Sequence, residues 1–224
     1  MKPTSLDFYF DYLSPFAFFS WLRIEKFCEQ FELELRARPV VFGKLLDHWG
    51  HMGPAEIPPK SQWVGQYCKR YAALEGFDYS PPKYHPFNPL PSLRMSLNQV
   101  SGNDQHAVIS AIFKAGWTEG EDLGDVARLI SILEREGIDC QGFEQKIKQA
   151  ETKNALISET DNAIAHGVFG VPTMIIGGQL FWGNDQFDHM QLLLEGNDPV
   201  TPEELDSFTG RPRMTDRKAI TRKS

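Results

Sequence analysis

Phe8-Tyr9-Phe10-Asp11-Tyr12-Leu13-Ser14-Pro15-Phe16 is the stretch around which the chain is organised. Leu6, Phe8 and Phe10 alternate with Asp7, Tyr9 and Asp11, the two-residue period of a strand. Ser14 is a good helix cap, and Pro15 suits the first helical position because the N–H it lacks would be unpaired there anyway. Phe16, Phe18, Phe19, Trp21, Leu22, Ile24, Phe27 and Phe31 continue at roughly helical spacing. A sheet therefore ends and a helix begins at Ser14. Free N–H groups and the positive end of the helix dipole favour an anion there, a thiolate among them. Taken alone, Ser14 also reads as a plain helix cap.

Working outward, Glu32 to Val41 alternates like a second strand, and a strand–helix–strand start implies parallel pairing. Phe42 to Lys60 holds three glycines and three prolines and reads as a loop with at most a short helix. Helical patterns follow over 62–74, 90–100, 105–118, 123–136, 140–150 and 154–167, with a proline-punctuated loop at 81–91. Gly170 to Ile176 reads as turn then strand, Gly177-Gly178 as a hairpin turn, and Leu180-Phe181-Trp182 as the returning strand. A last helix is expected over 185–194, opened by Gly183-Asn184. The order is βαβ, a helical block, then αββα. That is an α/β chain with a thioredoxin fold carrying a large all-helical insertion. The expected limits are 1–44 and 153–200 for the thioredoxin-like part, 45–152 for the insertion, and 201–224 for a partly disordered extension.

A length of 224 residues suits one large domain or one domain with a sizeable insertion. A net charge of −7 argues against a nucleic-acid partner. Six of the 23 Lys and Arg residues, but one of the 30 acids, fall within 211–224, so the remainder is more acidic still. That basic end reads as solvated; a contact with RNA or membrane is the other reading. Cys28, Cys68 and Cys140 form no CxxC pair and read as buried apolar groups. No leader-like segment and no apolar run of the ~18 residues that span a membrane are present, so a cytoplasmic location is expected. The histidines show no metal-ligand spacing, and no metal is assigned.

The start Tyr9-Phe10-Asp11-Tyr12-Leu13-Ser14-Pro15-Phe16 resembles the first strand and active-site turn of the DsbA-like family, with Ser14 where the first cysteine of a CPxC motif would stand. With serine there, it looks like the 2-hydroxychromene-2-carboxylate isomerases and the kappa-class glutathione transferases. Val168-Phe169-Gly170-Val171-Pro172-Thr173 and Phe181-Trp182-Gly183-Asn184-Asp185 are similar to the isomerase branch, the transferases having Ser-Asp in place of Asn184-Asp185.

The resemblance implies glutathione as cofactor, a small aromatic carboxylate as substrate, and a homodimer. It implies a cis Val171–Pro172 bond, leaving the Val171 N–H and C=O unpaired and facing Ser14, where they can pair with a peptide as an added strand would. Ser14 would donate to the glutathione sulfur and favour its thiolate, which adds reversibly to a conjugated alkene. Gly183, Asn184 and Asp185 would hold the γ-glutamyl end, or simply cap the last helix. Trp182 would line the site or fill core. His51, Lys60, Asn88 and Arg94 are the candidate substrate contacts. His51 departs from an asparagine in the relatives, Lys60 also reads as a solvated charge, and Arg94 reads equally as half of a salt bridge.

Overall fold

The computed structural model describes residues 3–209. Strand β1 (Ser5–Phe10) lies at the centre of a four-stranded sheet of order β2-β1-β3-β4. It pairs in parallel with β2 (Glu34–Pro39), Phe8 opposite Ala37, and antiparallel with β3 (Thr173–Ile176), Phe8 opposite Met174. Strand β4 (Gln179–Trp182) returns from β3 through Gly177 and Gly178, at φ 57° and 85°. Positive φ at both central residues is what a tight hairpin turn needs, and glycine reaches it without strain.

Eleven α-helices surround the sheet among the described residues: α1 (Pro15–Phe31), α2 (Phe42–Trp49), α3 (Pro58–Glu75), α4 (Leu90–Met95), α5 (Asn98–Ser101), α6 (Gln105–Trp117), α7 (Val126–Arg135), α8 (Phe143–Lys146), α9 (Ala150–Ala165), α10 (Phe187–Leu194) and α11 (Pro202–Thr209). The alternation in β1 splits its side chains between two cores. Leu6, Phe8 and Phe10 are fully buried in one, which also holds Trp21 of α1 and Phe113 of α6. Tyr9 enters the other, with Leu45 of α2, Ala163 of α9, Val168 and Val171. The helices between β2 and α9 do not close a core of their own. Phe113 packs 4.6 Å from Tyr12 and 5.6 Å from Phe10, ring centre to ring centre, so the insertion and the sheet share one interior.

The region 42–60 is more regular than its glycines and prolines suggest. The Asp11 carboxylate accepts the Phe42 N–H at 2.9 Å and so caps α2, whose own N-cap residue, Val41, makes no side-chain cap bond. Gly50, at φ 66°, ends that helix, and Pro58 and Pro59 occupy the first turn of α3. The breakers sit at helix ends, where they belong. The helix expected over 90–100 is broken at extended Leu97 (ψ 137°) into α4 and α5, and 140–150 keeps only the single turn of α8. The last sheet-side helix begins at Phe187, two residues beyond Asp185. Of the extension 201–224, residues 202–209 form α11; the basic stretch 211–224 lies outside the described residues. No described helix is long and apolar enough to cross a membrane.

Candidate active site

The C-terminal ends of β1, β2 and β4 and the N-terminal end of β3 fall along one edge of the sheet. The Ser14 turn, the start of α2, the Val171–Pro172 turn and the Trp182–Asp185 segment all leave from that edge.

Ser14 is buried and extended (φ −100°, ψ 113°), and its Oγ accepts the Ala17 N–H at 3.2 Å. Accepting uses a lone pair and leaves the hydroxyl proton free. That proton is donated to the Val171 carbonyl at 3.2 Å. Capping and reaching across the site are thus two uses of one oxygen. The Val171–Pro172 bond is cis. The Val171 carbonyl is paired, contrary to what the resemblance implies, because it accepts from Ser14; the Val171 N–H has no acceptor among the described residues.

The Pro172 carbonyl accepts the Gly183 N–H at 3.1 Å, tying the cis-proline turn to the end of β4. Gly183 has φ 120°, and a Cβ there would stand 2.6 Å from Asp185 Oδ1, so only glycine fits. Trp182 does not fill core. It is 53 % exposed, packs on Gly170 and meets Phe169 edge-on with centroids 5.1 Å apart. Trp49 donates to the Val168 carbonyl at 2.9 Å from the other side. Asn184 is buried, whereas Asp185 is exposed and accepts from Gln186 Nε2 at 3.2 Å. Neither caps α10: its N-cap residue is Gln186, which makes no side-chain cap bond. Arg23 of α1 reaches the same corner, 3.4 Å from the Asn184 carbonyl and 4.2 Å above the Phe187 ring centre.

The candidate substrate contacts are less closely tied to Ser14. His51 and Lys60 are exposed, one after α2 and the other in the first turn of α3. Asn88 Oδ1 accepts the Leu90 N–H at 3.2 Å, a local use at the start of α4. Arg94 makes no ion pair among the described residues, so the salt bridge allowed by the sequence is not formed. Its Nε is buried without a hydrogen bond, and burial lowers its pKa. No hydrogen bond or ion pair joins Lys60, Asn88 or Arg94 to the Ser14–Val171 pair among the described residues.

Three residues that the sequence left aside hold the Ser14 turn. Asp11 is fully buried; besides Phe42 it accepts the Leu13 N–H at 3.0 Å. Burial pushes its pKa up to about 7, against the pull of those two N–H groups. Trp117 Nε1 donates to the Tyr12 carbonyl at 3.0 Å, and His85 Nε2 meets the Leu13 carbonyl at 2.8 Å. A carboxylate inside the apolar run of 8–13 was a legible signal for Asp11; nothing local marks His85 or Trp117.

The chain's own thiols are inert. Cys28, Cys68 and Cys140 are buried and unpaired, and burial pushes them up to about 12, 11 and 11. Among the described residues no cluster of His, Cys, Asp and Glu is suited to a metal ion.

This sheet, with a helix-capping residue opposite a cis-proline turn, defines a DsbA-like protein, and the DSBA-like thioredoxin domain family matches residues 5–195. The chain belongs to that family and, within it, to the 2-hydroxychromene-2-carboxylate isomerase family. It is 31 % identical over 188 residues to the 2-hydroxychromene-2-carboxylate isomerase of Pseudomonas putida, covering 81 % of this chain and 89 % of that one. It is 25 % identical to glutathione S-transferase kappa 1 of Rattus norvegicus, over 86 % of this chain and 91 % of the relative. A solved structure of a 2-hydroxychromene-2-carboxylate isomerase superposes with a TM-score of 0.77 at 25 % identity, over 88 % of this chain and all of the other.

Proposed function

We propose that the protein is a glutathione-dependent isomerase that interconverts a chromene carboxylate and the corresponding benzylidenepyruvate, working as a cytoplasmic homodimer. The observation that carries this reading is the Ser14 hydroxyl, which faces Val171 at the mouth of α1 in a chain whose own thiols are buried. Glutathione, when bound, supplies the nucleophilic sulfur. The Val171 N–H, without an acceptor among the described residues, suits an extended peptide added as a strand. Ser14 exchanges its bond to Val171 for one to the sulfur, and the end of α1 adds positive potential there, so the two together favour the thiolate. Pro172 and Trp182 are further contacts for glutathione. Gly183, Asn184 and Asp185 take the γ-glutamyl end, with the exposed Asp185 carboxylate facing the ammonium. Arg94, with no acid partner among the described residues, suits the substrate carboxylate, with His51, Lys60 and Asn88 as further substrate contacts.

The kappa-class relative supports a second reading, a transferase that leaves sulfur on an electrophile. Purified protein with glutathione is offered the chromene acid and an aryl halide in parallel. Turnover of the acid is expected, and turnover of the halide alone refutes the isomerase reading. Ser14→Ala should lower kcat/KM by about 10²-fold or more, in the range of a lost donor to a developing anion. Loss of the cap should cost about 1 kcal/mol of stability, read by denaturant unfolding. An unchanged rate removes Ser14 from the chemistry.

A further inference from the structure

Two peptide units lead into Ser14, and each is held at both of its polar ends. In the first, the Tyr12 carbonyl accepts from Trp117 Nε1 and the Leu13 N–H donates to Asp11 Oδ1. In the second, the Ser14 N–H donates to the Asp11 carbonyl at 3.0 Å, and the Leu13 carbonyl meets His85 Nε2 at 2.8 Å. A carbonyl only accepts, so Nε2 carries the proton of this bond in either charge state of the ring. The plane of that second peptide sets φ of Ser14, and hence the direction in which its Oγ points.

The loop that carries His85 is itself fixed. The Ser80 N–H donates to the Trp117 carbonyl at 2.9 Å and the Lys83 N–H to the Gly120 carbonyl at 3.2 Å. The imidazole packs edge-on to Trp117, centroids 5.6 Å apart. The ring is solvent-exposed, unlike the other donors around the turn, so it adds little to the core. Its one polar contact among the described residues is with the peptide that aims Ser14.

We infer that His85 is a positioning residue for Ser14, whose ring N–H locks the Leu13–Ser14 peptide and so aims the serine hydroxyl. Its link to catalysis rests on the reading of Ser14 given above; its effect on the turn does not.

The test compares His85→Leu, which has no donor, with His85→Gln, whose amide N–H can reach the same carbonyl. Amide exchange at Leu13 and Ser14 is measured without ligand; His85→Leu should speed it about tenfold and His85→Gln less than about twofold, as local opening follows loss of a hydrogen bond. Melting temperatures should match the parent protein. With glutathione and the chromene acid, His85→Leu should lower kcat about tenfold with KM for glutathione within about twofold, the pattern of a lost transition-state contact. His85→Gln should restore most of that rate.

Unchanged exchange in His85→Leu overturns the inference. So does failure of glutamine to restore the rate, which would make the ring an acid or base in its own right. If the parent protein turns over nothing, the proposed function fails, and the exchange data still decide the role of His85.

Discussion

Asp11 satisfies two N–H groups from two different helix starts, in a place with no exposed surface. Its carboxyl is raised from 3.8 to about 7 because burial penalises the charge more than the N–H groups reward it. The native protein therefore holds this proton more tightly than the unfolded chain. The stability that follows is complete below 3.8 and is lost as pH rises through about 7. Asp11→Asn should abolish that slope, which amounts to a few kcal/mol in order of magnitude. It should also leave one N–H facing an amide NH2, so the variant is less stable at pH 5 by about 1–3 kcal/mol and the gap narrows towards pH 8. Urea unfolding of both proteins across that range checks it, and parallel curves would refute the assignment. Ser14 was legible in the sequence because a cap followed by proline is a local pattern. Asp11 read as one more alternating residue of a strand and not as a clamp, since its second donor comes from Phe42, beyond the neighbouring strand.

At the level of elements, the cis-proline turn is braced by a ring lying on a glycine. A Cβ at residue 170 would fall 2.6 Å from Trp182 Nε1, so Gly170→Ala should push the indole off the turn. The expected cost is about 1–3 kcal/mol, that of a small overpacking strain. A change in tryptophan fluorescence should accompany it, and should vanish when the substitution is made in a Trp182→Phe background. Fluorescence that changes equally in both backgrounds would place the strain elsewhere. The parallel pair of β1 and β2, the hairpin and the first helix were readable from period and turn chemistry. The stretch 42–60 was not, because glycine and proline punctuate helix ends as readily as loops. Gly50 ends α2, and Pro58 and Pro59 begin α3. The true start of α10 was hidden for a related reason. Gly183-Asn184-Asp185 is good capping chemistry, yet the Asp185 carboxylate turns back to where a Cβ on Gly183 would stand, and Gln186 takes the cap position.

Across the whole molecule, the order of strands and helices in the sequence matched the topology, but the sharing of one core did not show. Hydrophobic period tells which face of a helix is buried and not what buries it. Phe113 of the insertion meets Phe10, Tyr12, Phe18 and Trp21 of the sheet side. Phe113→Ala should therefore cost about 3–5 kcal/mol, the range for a large buried ring. It should lower the stability of sheet and insertion together, with near- and far-ultraviolet circular dichroism giving coincident transitions. Two separate transitions would mean that the insertion stands alone.

The turn at Ser14 is written near the beginning of the chain, yet its bracing is dispersed far downstream. Asp11 finds Phe42 31 positions on, Leu13 finds His85 at 72, Tyr12 finds Trp117 at 105, and Ser14 finds Val171 at 157. A chain still on the ribosome holds the serine early but cannot orient it until the segments that brace it have emerged. Such distant closures are the slow ones in folding. An aimed hydroxyl is thus a late mark of maturity for this polypeptide, and a chain cut short before the Val171–Pro172 turn would carry the residue without its geometry.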